Sequence, residues 1–334
     1  MWHRLFLRLL LAGLFFAAAQ QAAAACAGRD LIAALPDADR RALYRAAAAV
    51  PYPEGNIWRA QRGDAVIHLV GTYHLDDPRH DALMDAIAPL LSDARLLLVE
   101  AGPEEQARLT ADLAQKPDIM FLTEGPTLPE LLPEADWQAV MAAMRARGVP
   151  GFMASKFRPW YVAMLLGLPP CALEALKAGA EGLDNRLIAA AQARGLPVAA
   201  LEPHDTLFRI FEGLDPAQEL GMIRATLLMA EDAENQAVTL ANAYFRGQSR
   251  LIWEFTRARA LHQPGLSTEE AAAQMDLAES LLMTTRNRAW IPVLTEAAGR
   301  GPVLAAFGAL HLPGDTGVLA LLAAEGFTIA RLDG

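Results

Sequence analysis

Four short apolar runs punctuate the chain, and each ends at a residue able to bind a metal or move a proton. Ala65–Val70 leads into Gly71-Thr72-Tyr73-His74, and Arg95–Val99 stops at Glu100. Val198–Leu201 stops at Glu202, and Val303–Phe307 leads into Gly308-Ala309-Leu310-His311. Short continuous apolar runs bounded by turn residues are the pattern of strands buried on both faces of a parallel sheet. Ile57–Ala60 pairs by pattern with Ala65–Val70 across Arg62-Gly63-Asp64, and Thr328–Leu332 supplies a last strand.

Helical spacing fills the intervals. Asp30–Ala48, Asp81–Leu91, Asn185–Arg194 and Thr316–Glu325 each carry apolar residues on one side. Two longer stretches, about 104–180 and 206–298, are almost entirely helix-forming, with breaks at prolines and near Gly213, Gly247 and Pro264-Gly265. The expectation is a mixed α/β fold: a central, mostly parallel sheet, flanking helices and an inserted helical cap, in one domain over 26–334. Met222, Met229, Leu240, Tyr244 and Phe255 lie within the second helical stretch. They serve its core, or alternatively line a groove.

Residues 1–25 change the picture of where the protein works. Arg4 and Arg8 form a basic start, Leu5–Ala19 is apolar apart from Arg8, and small residues follow at Ala22–Ala25. This is the pattern of a cleaved signal peptide, and the run is short for a membrane span. A periplasmic or secreted protein with no stable span after processing is expected. The two cysteines, Cys26 and Cys171, then form a disulfide in the exported chain, with lipidation of Cys26 as the alternative. A formal net charge of −10 disfavours a nucleic-acid partner.

In an open parallel sheet, ligands bind beyond the carboxyl ends of the strands. His74, Glu100, Glu202 and His311 all fall there. Both histidines follow a glycine by three residues, directly after a strand, so the two motifs are expected to converge. Imidazole and carboxylate suit zinc, manganese or cobalt, and three such ligands leave positions open for water and substrate. His74, Glu100 and His311 are the expected metal ligands, with Glu202 as general base or as an acid orienting a histidine. The competing reading makes the histidines loop residues and Glu100 a helix cap. His68, within a strand, and His80 and His262, on polar helical stretches, are read as structural. No His-Glu-x-x-His helix, Gly-x-Ser-x-Gly elbow or phosphate-binding glycine loop is present.

Gly71-Thr72-Tyr73-His74, Leu98-Val99-Glu100, Gly182-Leu183-Asp184, Leu201-Glu202, Arg286-Asn287 and Gly308–Gly314, in this order, resemble the TraB/PrgY/GumN superfamily. The likeness is to its GumN-like branch, which is similar to the Tiki metalloproteases. It implies a fold shared with ChaN-like and erythromycin-esterase-like proteins. It also implies a divalent-metal peptidase site on the two Gly-x-x-His motifs and a glutamate, with Arg286 and Asn287 as supporting or substrate contacts. Three functions follow: a metal-dependent hydrolase of peptides or small molecules, an esterase using the same histidines, or a non-catalytic haem or small-ligand binder.

Overall fold

The computed structural model describes residues 26–230, 232–262 and 267–334. The expected signal peptide and the Pro264-Gly265 break lie outside the described residues. The strands are β1 (Ile57–Arg62), β2 (Ala65–Thr72), β3 (Leu97–Val99), β4 (Val198–Ala200), β5 (Val303–Gly308) and β6 (Thr328–Arg331). They form one sheet in the order β4-β3-β5-β2-β1-β6. The first four in that order are parallel neighbours, while β1 is antiparallel to both β2 and β6.

Each strand coincides closely with its apolar run, because burial on both faces favours apolar side chains throughout. β5 makes the two faces explicit. Val303, Ala305 and Phe307 enter one core with Trp290, Leu294 and Leu319. Leu304 and Ala306 enter the other with Ile87, Leu91 and Leu187, as the two-residue repeat of a strand requires. Helices His80–Asp93 and Leu183–Ala193 thus cover one face, and Thr285–Ala298 and Val318–Ala324 cover the other.

The two helical stretches pack partly on each other. Leu128, Trp137, Val140, Met144, Phe157, Val162 and Leu166 form a third core that also takes Ile223 from the second stretch. Leu240, Tyr244 and Phe255 are core residues. Met222 and Met229 instead line an apolar cavity of about 570 Å³, so the core and groove readings divide between them.

The first helix is shorter than its pattern. Asp30–Leu35 form turns, and the helix runs only Asp37–Ala47, because Pro36 cannot donate the backbone bond that would continue it upstream. Cys26 and Cys171 are bonded, with a Cα–Cα distance of 5.3 Å. The arm from Cys26 lies along helix Ala233–Phe245, where Arg29 N–H donates to Asn235 Oδ1 and Leu31 N–H to Thr239 Oγ1, both at 2.8 Å.

Candidate functional site

The register brings the four expected residues to one edge. Val99 lies opposite Ala306 and Ala200, and Thr72 opposite Gly308, so β2, β3, β4 and β5 end at a common level. The two Gly-x-x-His motifs touch: a Cβ on Gly71 would lie 2.7 Å from Leu312 Cδ1 and 2.9 Å from the Ala309 Cα. The glycines are therefore required for close approach. Neither has a positive φ, and β2 runs one residue beyond Gly71, which corrects the expectation that glycine ends the strand.

Gly308 marks the point of convergence. A Cβ there would lie 3.2 Å from His74 Nε2, 3.4 Å from Glu100 Oε1 and 3.7 Å from His311 Cδ2. Each group is held from behind. His74 Nδ1 lies 2.7 Å from Asp184 Oδ2, and Thr72 Oγ1 donates to Asp184 Oδ1 at 2.5 Å. Gly182 lets that carboxylate come in. A Cβ on Gly182 would lie 2.1 Å from the His74 carbonyl oxygen, and Leu183 N–H donates to Tyr73 O at 3.0 Å. His311 Nδ1 lies 2.6 Å from Asn287 Oδ1, whose amide is fixed by donation to Thr316 O at 2.9 Å. In the neutral rings both Nδ1 atoms thus carry the proton, and the Nε2 atoms face the cluster, His311 Nε2 toward Arg286.

Arg286 ties the carboxylates together. It donates from Nη2 to Glu100 Oε2 at 2.5 Å and from Nε and Nη2 to Glu202 at 2.9 and 2.6 Å. Its Nη1 lies 3.3 Å from His311 Nε2. Trp290 Nε1 donates to Glu202 Oε2 at 3.0 Å, so both oxygens of Glu202 are occupied. Glu202 orients no histidine: Asp184 and Asn287 do that. Glu100 is no helix cap either. Its Oε1 accepts from Gly308 N–H at 2.7 Å, while the helix at Pro103 is capped by Glu105, whose Oε2 accepts from Gly102 N–H at 3.2 Å.

These contacts set the charge states. Burial opposes ionisation of Glu100, but His311, Arg286, His74 and the Gly308 amide outweigh it and hold the pKa down to about 2. Burial lowers His311, partly offset by Glu100 and reinforced by Arg286 and His74, to about 4. Desolvation opposes the charged form of His74 too, but Asp184 and Glu100 win and raise it. Its side chain is 63 % exposed, so solvent screens part of that upward shift.

The TraB/PrgY/gumN family model matches residues 56–331, which include every strand and every residue of this cluster. The chain belongs to the TraB/PrgY/gumN family. No curated protein matches it. Within this family member, the two imidazoles and the carboxylate lie near one another without closing on a common point. Glu100 Oε1 and His311 Nε2 are 4.0 Å apart, and among the described residues no three His, Cys, Asp or Glu side chains form a metal-holding group.

The remaining histidines lie elsewhere. His204 Nε2 pairs with Asp112 at 3.1 Å, and His68 is buried in β2. His80 is fully buried rather than on a polar face, bonding Leu75 O and packing against Phe245. Asp184, Thr72 and Trp290 received no role from sequence. Gly182 preceding an acid at a helix start was the available signal for Asp184, but it is also an ordinary helix opening. Tyr244 was also missed: its hydroxyl donates to Gly71 O at 2.8 Å and its ring stacks on Tyr73.

Proposed function

We propose that the protein is a metal-dependent hydrolase of the GumN-like branch, cleaving amide bonds in peptides after export. One observation carries this reading. Two imidazoles, each with Nδ1 held by a side-chain oxygen, gather with Glu100 at Gly308: His74 Nε2 and Glu100 Oε1 both lie beside that residue, and His311 Nε2 is 4.0 Å from the same oxygen. A carboxylate or amide behind each ligating histidine is the usual support of a metal site. His74, Glu100 and His311 would hold a divalent manganese, cobalt or zinc ion, whose chemistry is Lewis acidity and a water of lowered pKa.

The chain's own groups do the rest. Asp184 and Asn287 fix the imidazole tautomers. Arg286 helps keep Glu100 ionised, is itself anchored by Glu202, and offers Nη1 beside His311, where it can stabilise negative charge developing on a substrate oxygen. Glu202 is better suited to anchoring Arg286 than to accepting a proton, because Arg286 and Trp290 already use its oxygens. The disulfide fits an oxidising compartment.

The test is elemental analysis of purified wild type, His74→Ala and His311→Ala, with peptide hydrolysis measured beside it. Near-stoichiometric transition metal in the wild type alone, with metal-dependent cleavage, is the expected result. Wild-type metal content and activity in both variants would refute the assignment. A Soret band on haem addition without hydrolysis would favour the binding-protein reading.

A further inference from the structure

Two helices of the second helical stretch turn apolar stripes into one cavity. On helix Thr268–Glu279 and the π-turn Ser280–Thr284 that continues it, Ala271, Gln274, Met275, Ala278, Leu281 and Leu282 recur at helical spacing and line the cavity of about 570 Å³. At about 1.5 Å per residue, the stripe from Ala271 to Leu282 is about 16 Å long. Across from it, helix Pro216–Ala230 is apolar on two sides. Leu220, Ile223 and Leu227 pack into the third core, while Met222, Ala225 and Met229 line the cavity. A helix apolar all round is one that is covered all round, so this second stripe calls for an apolar partner.

The polar groups of the wall restrict what that partner can be. Among the described residues the lining holds no Lys, Arg or His, and its single acid is committed locally. Gln218 N–H donates to Asp215 Oδ1 and Asp215 N–H donates to Gln218 Oε1, both at 2.9 Å. Thr226 Oγ1 and Thr256 Oγ1 donate to the carbonyls of Met222 and Ile252 in their own helices, at 2.6 and 2.9 Å. Water inside a cavity needs several polar partners, and a peptide backbone laid along this wall would leave its amides unpaired. A hydrocarbon chain makes no such demand. Met222, Met229 and Met275, with flexible thioether side chains, adapt to its path.

Two of the walls lead to the cluster. Ile210 and Phe211 line the cavity from helix Thr206–Glu212, which begins just after Glu202. Leu282 lines it as well, and its carbonyl accepts from Arg286 Nη1 at 3.2 Å, the nitrogen that lies 3.3 Å from His311 Nε2. Single π-turns within helices gather at functional sites, and here one joins the apolar stripe to Arg286. We propose that the cavity receives the hydrocarbon chain of an acylated substrate whose amide lies at the His74–Glu100–His311 cluster. Placement of the amide rests on the hydrolase reading; binding of the chain does not.

The experiment is fluorescence titration of the purified protein with cis-parinaric acid, competed by dodecanoate and by N-acetyl-trileucine amide. A saturable rise, displaced by dodecanoate and not by the peptide, is expected. Ala278→Trp, which fills the cavity, should weaken binding about tenfold or more. Met222→Gln, close to methionine in size, should weaken it about threefold, and it decides the matter if the melting temperature shows that Ala278→Trp does not fold. Hydrolysis is then compared on an N-dodecanoyl peptide and its N-acetyl counterpart. The dodecanoyl peptide should have a KM about tenfold lower or better, and Met222→Gln should narrow that difference. Undiminished probe binding in the folded variants overturns the proposal, as does equal displacement by the trileucine amide, which would make side chains the occupant. Self-association lost in Met222→Gln, without saturable probe binding, would give the cavity to a second copy. Equal KM for the two peptides would detach the cavity from the cluster. Saturable binding with neither peptide cleaved would uphold the chain site and refute the hydrolase reading alone.

Discussion

Gly308→Ala separates the site from the fold. The backbone at Gly308 has φ −48° and ψ 131°, which alanine adopts without strain. The added methyl meets His74 Nε2 at 3.2 Å, Glu100 Oε1 at 3.4 Å and His311 Cδ2 at 3.7 Å. The first two contacts are tight, and His74, the most exposed of the three, is free to yield. Loss of glycine stabilises by about 0.4–1 kcal/mol through the unfolded chain, and crowding costs about 1 kcal/mol at the low end of overpacking. The net change is within about 1 kcal/mol, a shift of about 2–4 °C in melting temperature. Metal affinity should behave differently. Displacing one ligand from its orientation should cost about 10–100-fold, as loss of a supporting contact does. Calorimetric melting and cobalt titration followed by absorbance measure the two effects separately. An affinity within about twofold of wild type, with the methyl accommodated, would refute the idea that Gly308 is the point on which the ligands converge. Melting lowered by more than about 10 °C would show that the glycine serves the fold instead.

Acid should destabilise the protein in two stages. The His311 pKa is depressed, so its contribution is present above the unfolded value near 6.5 and lost as pH falls through about 4; the Glu100 contribution is lost between about 4.5 and 2. Urea midpoints against pH should fall over that range, and His311→Asn should flatten the upper part of the curve. Arg147→Met should cost about 3 kcal/mol in urea unfolding, because the buried guanidinium donates to the carbonyls of Ala143, Leu165, Leu166 and Leu168 at 2.8–2.9 Å. A loss under about 1 kcal/mol would mean that water replaces those bonds. Cys171→Ser should cost about 2–5 kcal/mol, and thiol titration of the unfolded, unreduced wild type should find no free thiol.

The strands were legible because burial on both faces leaves no polar alternation to confuse the pattern, and β5 and β2 fall within two residues of their apolar runs. His74, Glu100 and His311 were legible because they stand directly after such runs. The arginine between them was not, since Arg286 lies mid-helix and nothing local distinguishes it from a solvated arginine; the family resemblance alone singled it out. The start of the first helix was misjudged because apolar spacing continued across Pro36. Asp184 was hidden for another reason: its partner is 110 residues away, and only the docking of Gly182 on the His74 carbonyl reveals the pairing.

The strand order has a consequence for how the chain matures. β2 and β3 do not pair with each other; β5 lies between them and is synthesised after both. Until residues 303–308 arrive, the sheet exists as two separate pieces with open edges, both rich in unbonded backbone. Such a chain is exposed to aggregation while it is incomplete, and its assembly is governed by the slow closure of distant contacts. The same strand delivers His311. Whatever chemistry the cluster performs is therefore withheld from every copy that lacks β5 and begins only once that strand is in place.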